Sequence, residues 1–386
     1  MRVIYFSQDY TPHDHRFLAA LAKTEHEVNY LRLEDGGREL ESRPLPERVS
    51  LIDWWGGRRR LGWNELPRAR REVRAVLDRI RPDLVHAGPV QGPAFLTALA
   101  GFRPLVTMSW GSDLLWKARR GLDRWKARLT LGRSNVLVCD SEPVLQRAVE
   151  LGMPAERIVK FPWGVDLDHF SPGPASELRR ALGWENEFVV ISTRAWEPLM
   201  GIEVLIEGFV RAAAGCPELR LLLLGSGSLE TEIQNRISLG GAEHHVHFAG
   251  QVEFARLPEM YRAADLYLSA SHSDGSSVSL LEAMACGLPA LVSDIPGNRE
   301  WVEDGSNGWL FPDGDARSLA TAMIRKTREP STLRPVGERA RAQVEKRADW
   351  DKNLSELLRA YSIASAGTRG QLAALGVSRG EPLNND

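Results

Sequence analysis

The sequence is poor in cysteine, in long apolar runs and in net charge, and each shortage excludes a class of protein. Cys139, Cys216 and Cys286 are the only three cysteines among 386 residues, and they share no spacing typical of zinc sites or disulfide frameworks. No apolar run approaches the ~20 residues that a membrane span requires. The opening run before Gln8 and Asp9 is too short for a signal peptide. We therefore expect a cytoplasmic chain in a reducing compartment, at most peripheral on the inner membrane face.

The net charge of −2 hides an asymmetry between the two halves of the chain. Residues 1–170 carry 27 Lys and Arg against 22 Asp and Glu, whereas the remainder carries 22 against 29. A basic first half suits an anionic acceptor or a lipid surface, and the alternative is a set of ordinary solvated helix faces. No nucleic-acid-binding motif accompanies the charge, so we expect no nucleic acid partner.

Short aliphatic runs alternate with longer helical patterns along the whole chain. The strand candidates are R-V-I-Y-F-S, E-V-N-Y-L-R-L, D-L-V-H-A, P-L-V-T-M-S-W, V-L-V-C-D and R-I-V-K-F, followed by F-V-V-I-S-T, L-R-L-L-L-L-G, V-H-F-A-G, D-L-Y-L-S-A, P-A-L-V-S-D and W-L-F. Continuous rather than alternating apolar residues are typical of strands covered on both faces in parallel sheets. Because 386 residues exceed one compact core, the pattern predicts two α/β domains in tandem.

Proline and glycine interrupt this alternation once, in P-W-G-V-D-L-D-H-F-S-P-G-P at residues 162–174. We therefore predict a first domain over residues 1–165 and a second over residues 166–348. Residues 349–366 have the pattern of a closing helix. The polar remainder, residues 367–386, is predicted to be a flexible tail.

Residues 273–289, S-D-G-S-S-V-S-L-L-E-A-M-A-C-G-L-P, combine small polar residues with two carboxylates, Asp274 and Glu282. Residues 278–286 have the pattern of a helix that begins after serines, and the amide groups and dipole at such an end favour an anion. Glu282 would need a hydroxyl or amide partner on an otherwise apolar helix. The alternative is structural, with Ser279 and Glu282 forming a capping box and Asp274 a turn residue.

The same stretch resembles the E-x7-E and A-M-A-x-G-x-P pattern of the retaining glycosyltransferases of family 4, with Asp274 and Glu282 in the two acidic positions. The linker P-W-G-V-D-x-x-x-F-x-P, the strand end G-S-G-S-L-E, and G-S-N-G-W-L-F followed by Asp315 match the same family. The resemblance covers nearly the whole chain. It implies the GT-B fold, in which two Rossmann-like domains face each other across a cleft and the closing helix, residues 349–366, packs back on the first domain. It also implies transfer of a hexose-type sugar from a nucleoside-diphosphate sugar to a glycan, lipid-linked or small-molecule acceptor.

The resemblance further implies a donor site in the second domain. Glu282 is expected to bind the ribose hydroxyls, Asp274 to hold sugar hydroxyls, and Arg194 to neutralise the leaving diphosphate. The other donor-binding candidates are Gly225, Gly227, Gly250, Gln251, Val252, Gly275, Ser276, Ser277 and Val278. Fixed cationic and N–H donors aimed at the departing phosphate replace a metal, so we expect no metal and no other cofactor. Asp166 and Asp168 form a D-x-D, a pattern that binds a divalent metal in another glycosyltransferase fold. Because it falls inside the linker pattern here, we interpret it as structural.

Three departures from the family pattern concern the reaction itself. Met200 stands where members usually carry a lysine, which removes one phosphate partner. The strand end T-M-S-W-G-S-D places Trp110 where many relatives have a functional histidine. The loop after the first strand is Y-T-P-H-D-H-R instead of a glycine-rich turn, so His13 or His15 could face the reacting sugar.

These departures define the candidates in the first domain. His13 and Trp110 join Asp274 and Arg194 as catalytic candidates, and the acceptor-binding candidates are His13, His15, His86, Trp110 and Asp113. The alternatives are structural: an exposed, N-capping loop histidine at 13 or 15, a core histidine at 86, and simple packing at 110.

Residues 114–131 interleave tryptophan and leucine with six cationic residues. Arg58, Arg59, Arg60 and the arginines of residues 68–74 add to this charge. Such a segment suits an anionic membrane surface, where each basic residue contributes ~1 kcal/mol. The alternative, which we favour from sequence, is a solvated helix whose tryptophans pack inward.

Three functions remain open at this point. The first is the metal-independent retaining glycosyltransferase. The second is a nucleotide-sugar epimerase of the same fold, which needs acid–base residues around the sugar and no acceptor. The third is a non-catalytic partner that binds a nucleotide sugar, for which the residues at 110, 200 and 274 would mark a degenerate site.

Overall fold

The computed structural model describes residues 1–34, 41–57, 60–174 and 177–374. The chain divides into two compact units. Unit 1 contains Met1–Asp140, Val144–Phe161 and the chain from Leu354 onward, and unit 2 contains Ser141–Pro143 and Pro162–Asn353.

Unit 1 is built on a parallel sheet whose strand order is β3-β2-β1-β4-β5-β6-β7. Its strands are β1 (Arg2–Gln8), β2 (Glu27–Leu33), β3 (Val49–Leu51), β4 (Leu84–Ala87), β5 (Leu105–Met108), β6 (Val136–Cys139) and β7 (Ile158–Lys160). The helices that follow them are α1 (Pro12–Ala22), α2 (Leu66–Ile80), α3 (Pro93–Ala100), α4 (Ser112–Leu115), α5 (Gly121–Arg133) and α6 (Glu142–Glu150).

Unit 2 is built on a second parallel sheet, of order β10-β9-β8-β11-β12-β13. Its strands are β8 (Phe188–Ser192), β9 (Leu219–Leu224), β10 (Val246–Gly250), β11 (Leu266–Ser269), β12 (Ala290–Ser293) and β13 (Trp309–Phe311). Its helices are α7 (Glu177–Ala181), α8 (Ile202–Ala213), α9 (Glu230–Leu239), α10 (Leu257–Arg262), α11 (Val278–Ala285), α12 (Pro296–Arg299), α13 (Ala316–Arg328) and α14 (Leu333–Arg347). The last helix within the described residues is α15 (Trp350–Ala374).

The predicted fold class is confirmed: both units are parallel-sheet, Rossmann-like α/β domains. Every strand candidate named from the sequence is a strand, and every pairing between them is parallel. The sequence missed β3, an edge strand in which only Val49 is buried. A strand with one buried residue has no apolar run to reveal it.

The chain passes from unit 1 to unit 2 between Phe161 and Pro162, a few residues before the expected boundary after residue 165. The backbone explains this position. The N–H of Val165 donates to the carbonyl of Ala348 at 2.8 Å. A Cβ at Gly164 would lie 2.8 Å from that same carbonyl oxygen. The linker is therefore fastened to the end of unit 2.

The last helix continues to Ala374 and does not end at residue 366 as predicted. Gln371, Leu372 and two alanines are strong helix formers, and they offset the cost of ~1 kcal/mol for each of the two glycines in this segment. Residues 375–386 lie outside the described residues. No helix that the structure describes combines the length and the apolarity needed to span a bilayer.

Gly201 joins the loop after β8 to the loop after β11. Its φ is +62°, and a Cβ there would lie 1.8 Å from the carbonyl oxygen of Ala270. Both the left-handed conformation and the close approach require glycine. This contact brings together the two strand ends that carry the candidate donor site.

Gly201→Ala should destabilise the protein more than the same change at Gly241. Gly241 has a φ of +64° and no atom within 4 Å of its Cβ position, so it controls for backbone strain alone. The control change should cost ~1–2 kcal/mol, and Gly201→Ala a further ~1–3 kcal/mol because the loops must move apart. Urea unfolding of both variants tests this, and equal midpoints would contradict it.

Candidate functional site

The carboxyl ends of β8 and β11 meet at the point of unit 2 where the strand order reverses direction. Strands β9 and β10 lie on one side of β8, and β11 and β12 follow on the other. In open α/β sheets, ligands bind in the crevice at such a switch point. Arg194 follows β8 and Asp274 follows β11, so the sheet topology brings these two residues together.

The guanidinium of Arg194 is the centre of the polar contacts at this crevice. Its Nη2 lies 2.6 Å from Oδ2 of Asp274. Its Nη1 donates to the hydroxyls of Ser277 at 2.8 Å and Ser279 at 3.1 Å. Its Nη2 also lies 2.8 Å from the sulfur of Met200. The side chain of Arg194 therefore links the loop after β8 to the start of α11.

Arg194 keeps its charge although it is largely buried. Burial pulls the pKa of Arg194 down, but the carboxylate of Asp274 and the nearby tyrosines hold it above its usual value. The Nε of Arg194 is buried and has no hydrogen-bond partner among the residues that the structure describes. A buried donor of this kind in a native site calls for a ligand or water.

The loop that carries Asp274 is held by backbone contacts and by Trp301. The other carboxylate oxygen of Asp274 accepts a hydrogen bond from the N–H of Gly275 at 3.0 Å. A Cβ at Gly297 would lie 2.3 Å from the carbonyl oxygen of Gly275, so α12 packs directly on this loop. Trp301 donates from Nε1 to the hydroxyl of Ser276 at 3.0 Å. These contacts fix the direction of the Asp274 carboxylate.

Helix α11 begins at this loop, with Ser277 as its N-cap. The Ser277 hydroxyl accepts from the N–H of Leu280 at 3.4 Å. The capping box considered for Ser279 and Glu282 is absent, because the cap is two residues earlier and Glu282 lies within the helix. Val278 is the first helical residue, so the positive end of the helix dipole lies beside Arg194.

Glu282 is buried and bound to a tyrosine, as its isolation on an apolar helix predicted. The hydroxyl of Tyr261, on α10, donates to its Oε2 at 3.0 Å. Burial, and then the Glu282 charge, raises the pKa of Tyr261 well above its usual value, so the hydroxyl stays protonated and can donate. Tyr261 also contacts Thr193 at 3.1 Å, and Tyr267 contacts Ser279 at 2.9 Å. A hydroxyl network therefore connects Glu282 to the surroundings of Arg194.

The glycine-rich turn after β9 packs against the loop that carries Arg194. A Cβ at Gly225 would lie 2.9 Å from the carbonyl oxygen of Arg194, and one at Gly227 would lie 2.2 Å from that of Trp196. The N–H of Trp196 donates to the carbonyl of Ser226 at 3.0 Å. Close backbone approach explains both glycines, and their contact with a donor stays a prediction.

The turn after β10 adjoins this glycine-rich turn. The carbonyl of Gly250 accepts from the N–H of Gly225 at 2.7 Å. Gln251 is exposed and donates from Nε2 to the hydroxyl of Ser226 at 3.2 Å. Val252 is partly buried against the core of unit 2. The three residues form one edge of the crevice, and their assignment to the base stays a prediction.

The D-x-D of the linker forms a turn. Oδ1 of Asp166 accepts from the backbone N–H groups of Asp168 at 3.1 Å and His169 at 2.9 Å. Among the described residues, no three His, Cys, Asp or Glu side chains come together as a group that could hold a metal ion.

A separate cavity of about 540 Å³ lies at the opposite end of the unit 2 sheet. Phe188, Asp265 and Pro289 line it, and they stand at or before the amino ends of β8, β11 and β12. Because ligands of parallel sheets bind at the carboxyl ends, we do not assign the donor to this cavity.

Asp113 organises the loops at the carboxyl ends of β4 and β5 in unit 1. Its Oδ1 accepts from the Ser109 hydroxyl at 2.6 Å and from the N–H groups of Trp110 and Leu114, and its Oδ2 accepts from the N–H of Val90 at 2.9 Å. The side chain is buried, and burial raises its pKa. Loop amides and the Ser109 hydroxyl thus contact both oxygens of Asp113, and its acceptor-binding role stays a prediction.

His86 is a core histidine. It is 0 % exposed, and its Nδ1 lies 2.9 Å from the hydroxyl of Tyr361 on α15. Burial lowers the pKa of His86 to about 3, so the ring is neutral. Of the two interpretations left open by the sequence, burial and the Tyr361 contact favour the core histidine, and the acceptor contact of His86 stays a prediction.

His13 and Trp110 lie together at the carboxyl ends of β1 and β5. Their ring centroids are 6.1 Å apart. Both side chains are partly exposed, and Nε1 of Trp110 is buried without a hydrogen-bond partner among the described residues. Thr11 caps α1 and pairs with Asp14, which places His13 in the first turn of that helix. The predicted acceptor roles of His13 and Trp110 stay predictions.

His15 lies beside Tyr10, with ring centroids 6.3 Å apart. Burial and then the charge of Arg43 lower the pKa of His15. It is partly exposed, so its acceptor role also stays a prediction.

The sequence did not identify the residues that position the candidates. Tyr261 is 21 positions from Glu282, and Asp14 binds both Thr11 and the hydroxyl of Tyr5. Burial raises the pKa of Asp14 to about 6. A T-x-x-D pattern before an apolar run was the one available signal for Asp14. No local pattern pairs Tyr261 with Glu282.

Two family models match the chain. The model described as "Glycosyltransferase Family 4" matches residues 13–169, and the model described as "Glycosyl transferases group 1" matches residues 175–343. The matches follow one another along the chain and leave only its ends and a short linker uncovered.

Curated relatives are glycosyltransferases. Phosphatidyl-myo-inositol mannosyltransferase of Mycobacterium leprae is 33% identical over 218 residues, which cover 56% of this chain and 56% of that protein. D-inositol 3-phosphate glycosyltransferase of Gordonia bronchialis is 29% identical over 240 residues, covering 59% and 52%. Putative glycosyltransferase EpsD of Bacillus subtilis is 27% identical over 288 residues, covering 70% and 74%. The matched region thus spans just over half the length of the first two relatives.

Solved structures share the fold over nearly the whole chain. Sucrose-phosphate synthase of Thermosynechococcus elongatus has a TM-score of 0.77 at 20% identity, covering 97% of this chain and 100% of that chain. Anabaena HepE in complex with UDP-glucose has a TM-score of 0.76 at 21% identity, covering 94% and 100%. At such identities the likeness concerns the fold. The two family models show that this chain belongs to glycosyltransferase family 4, and the solved structures show that it has the GT-B fold.

Proposed function

We propose that the chain is a retaining, metal-independent hexosyltransferase whose donor is a nucleoside-diphosphate sugar bound by unit 2. The observation that carries this proposal is the position of Arg194. Its guanidinium stands at the switch point of the sheet, 2.6 Å from Asp274 and beside the first residues of α11. This is a cationic, N–H-rich site at the place where open α/β sheets bind ligands.

Transfer breaks the bond between the anomeric carbon of the sugar and a diphosphate oxygen. Positive charge grows on the sugar ring while negative charge grows on the departing oxygen. Fixed N–H donors aimed at that oxygen stabilise the transition state without reorganisation. Arg194 and the start of α11 supply such donors, and they take the role that a metal has in other transferases.

The contacts of Arg194 suggest how a diphosphate would enter. Nη1 donates to two neutral hydroxyls, those of Ser277 and Ser279, whereas Nη2 is held by the Asp274 carboxylate. Hydrogen bonds between neutral and ionised groups are weaker than those between two opposite charges. A phosphate oxygen would therefore take Nη1 and the buried Nε more easily than Nη2.

Asp274 and Glu282 divide the remaining donor contacts in this proposal. Asp274 would hold a sugar hydroxyl and place its negative charge near the developing sugar cation. Glu282, with one oxygen held by Tyr261, would bind the ribose hydroxyls. The glycines, Gln251, Val252 and the Gly275 to Val278 amides would surround the diphosphate and base.

The acceptor side of the proposal rests on unit 1. His13 and Trp110 lie together at the carboxyl ends of strands and are partly exposed, as acceptor contacts must be. A tryptophan ring suits stacking on a sugar, and His13 could move a proton. His15 is the third candidate.

The names of the relatives suggest substrates to test first. HepE was solved with UDP-glucose, so UDP-hexoses are the first donors to test, followed by the nucleoside-diphosphate mannoses because of the mannosyltransferase relatives. Those relatives also point to inositol-containing or lipid-linked acceptors. A nucleotide-sugar donor and three buried free thiols suit an enzyme of the cytoplasm.

A release assay tests the proposal against its alternatives. The protein is incubated with each nucleotide sugar, with and without candidate acceptors, and both nucleoside diphosphate and sugar product are measured. The proposal requires acceptor-dependent release with the anomeric configuration kept. Conversion of the donor without acceptor would indicate an epimerase. Tight nucleotide-sugar binding without any turnover would indicate a non-catalytic partner.

Activity should survive chelation of divalent metals. Arg194 and the start of α11 neutralise the leaving group in this proposal, so 5–10 mM EDTA, on the order used for such tests, should leave kcat unchanged. Mn²⁺ or Mg²⁺ added back should not raise it. Loss of turnover with EDTA, restored by either metal, would contradict the proposal and return attention to Asp166 and Asp168.

Asp274→Asn should lower turnover and spare nucleoside diphosphate binding. The change removes a negative charge near the sugar cation, and charge-assisted bonds of ~1.5–3 kcal/mol predict a roughly tenfold to hundredfold loss in kcat. The affinity for nucleoside diphosphate should not fall, because the Asp274 carboxylate no longer competes with the diphosphate for Arg194. Asp274→Glu, the commoner family residue, should be the mildest change. Steady-state kinetics measure kcat, and calorimetry in parallel measures the affinity for nucleoside diphosphate. An unchanged kcat in Asp274→Asn would mean that Asp274 takes no part in the reaction.

Glu282→Ala should weaken nucleotide binding itself, since bonds to ribose exist in ground and transition states alike. Tyr261→Phe is the matched control, because it removes the same hydrogen bond but leaves the carboxylate. Donor KM should rise about tenfold or more in Glu282→Ala, from the loss of a bond to a charged group. Tyr261→Phe should mainly lower stability. Equal donor KM in the two variants would mean that Glu282 serves only the helix packing.

A further inference from the structure

The strongest unassigned feature of unit 1 is an exposed surface of tryptophan, leucine and arginine on α5 and its neighbours. Trp116 is 45% exposed, Leu122 48%, Trp125 50% and Trp63 55%. All three exposed tryptophans of the described residues belong to it. We call these four residues, with Arg120, Arg124 and Arg128, the Trp–Arg face.

The structure corrects the sequence-based preference for tryptophans packed inward. Helix α5 buries Ala127, Thr130 and Leu131 against unit 1. Leu122, Trp125 and Arg128 recur at intervals of three residues on the opposite, exposed side. The apolar side chains of α5 are thus divided between a buried face and an exposed one.

Internal contacts hold the rings of the Trp–Arg face in place. The ring of Trp125 packs edge-on against Phe95, with centroids 5.8 Å apart. Lys126 lies over the ring of Trp63 at 4.3 Å, and Arg119 lies over that of Trp116 at 4.3 Å. Trp63 therefore stands beside α5, although it is distant in sequence. Rings held at their bases and exposed at their tips lose little conformational freedom on binding.

The charge around these rings is mostly positive. Residues 114–131 contain six Lys and Arg and a single acid, Asp123, which pairs with Lys126 at 3.8 Å. Arg120, Arg124 and Arg128 are exposed and make no ion pair with any residue in the described parts of the chain. Arg58 and Arg59, which the sequence suggested as further members, lie outside the described residues. The free cations require an anionic partner if they are to contribute to binding.

We propose that the Trp–Arg face binds an anionic lipid surface. Tryptophan is the residue that prefers the boundary between headgroups and acyl chains, since its ring is apolar and its N–H can stay hydrated. Arginines around such rings are attracted to acidic headgroups. A protein partner would favour charges of both signs at the rim, whereas residues 114–131 carry six cations against one acid, Asp123.

The proposal does not depend on the glycosyltransferase reaction. Binding to vesicles needs neither donor nor turnover, so failure of one proposal leaves the other standing. If both hold, the enzyme would work at the membrane surface, where lipid-linked acceptors are found.

Sedimentation of the full-length protein with vesicles tests the proposal. The probes are vesicles of phosphatidylcholine alone and of phosphatidylcholine with 30–40% phosphatidylglycerol, a range on the order of anionic bacterial membranes. The protein should pellet with the anionic vesicles, release at ~0.5 M salt, where charges are screened, and stay in solution with the neutral ones. Each neutralised arginine should weaken binding about fivefold. Arg120→Gln, Arg124→Gln and Arg128→Gln combined should therefore weaken it roughly a hundredfold.

Matched changes on unit 2 control for charge and apolar area. Arg317 and Lys346 are exposed cations, and Leu239 is an 89% exposed leucine. The variant with Arg317→Gln, Lys346→Gln and Leu239→Ala should bind vesicles as the unchanged protein does. Equal loss in this control and in the arginine variant would overturn the proposal, because it would indicate attraction by overall charge. A dimer in solution that the arginine changes dissociate, without vesicle binding, would overturn it in favour of self-association.

Contact of the rings with lipid can be measured separately from affinity. Bromine on the acyl chains quenches the fluorescence of nearby tryptophan. In Trp116→Phe and Trp125→Phe combined, binding should persist because phenylalanine also inserts, but quenching by brominated lipid should fall. Quenching equal to that of the unchanged protein would place the lipid contact elsewhere and overturn the assignment to this face.

Discussion

The ion pair between Arg194 and Asp274 is the interaction on which the candidate donor site depends. A guanidinium this deeply buried costs several kcal/mol unless an anion and further acceptors surround it. Asp274 supplies the anion, and the hydroxyls of Ser277 and Ser279 supply the acceptors. The pair can form only because two loops approach very closely, and Gly201, with no Cβ to strike the carbonyl of Ala270, permits that approach. The geometry of the candidate donor site and the packing of the backbone are therefore one constraint in this unit.

Met200 changes the electrostatics of this pair. A lysine at that position would leave the crevice with one unbalanced positive charge before a donor arrives. With methionine there, the thioether contacts Arg194 but adds no charge, and Asp274 balances the single guanidinium. Attraction of a diphosphate must then come from the dipole of α11, from hydroxyls and from the unused Nε of Arg194. The site is suited to a donor whose sugar and ribose contribute much of the binding.

The fold could be read from the sequence to a large extent, and the reasons are physical. Strands buried on both faces of a parallel sheet are continuously apolar, so twelve strands could be predicted from the sequence. The edge strand β3 has one buried residue and could not be predicted. Features that depend only on neighbouring residues could also be predicted, such as the start of α11 after two serines. Contacts between residues distant in sequence could not be predicted. Nothing near Glu282 indicates its contact with Tyr261, and nothing near His86 indicates its contact with the Tyr361 hydroxyl in the core. Burial decided these roles, and sequence does not give burial of single polar residues.

The two units differ in the polar contacts at the carboxyl ends of their strands. In unit 2, Arg194 and Asp274 form an ion pair at the point where the strand order reverses. In unit 1, Asp113 accepts hydrogen bonds from the loops after β4 and β5, one strand away from the reversal between β1 and β4. His13 and Trp110 lie together at the carboxyl ends of β1 and β5, and the N–H of Trp110 is buried without a hydrogen-bond partner among the described residues. If these two rings bind an acceptor, as proposed, they would recognise it by shape and stacking more than by charge. Selection of an acceptor by location, at a surface rich in that acceptor, would supply the specificity that the rings alone do not.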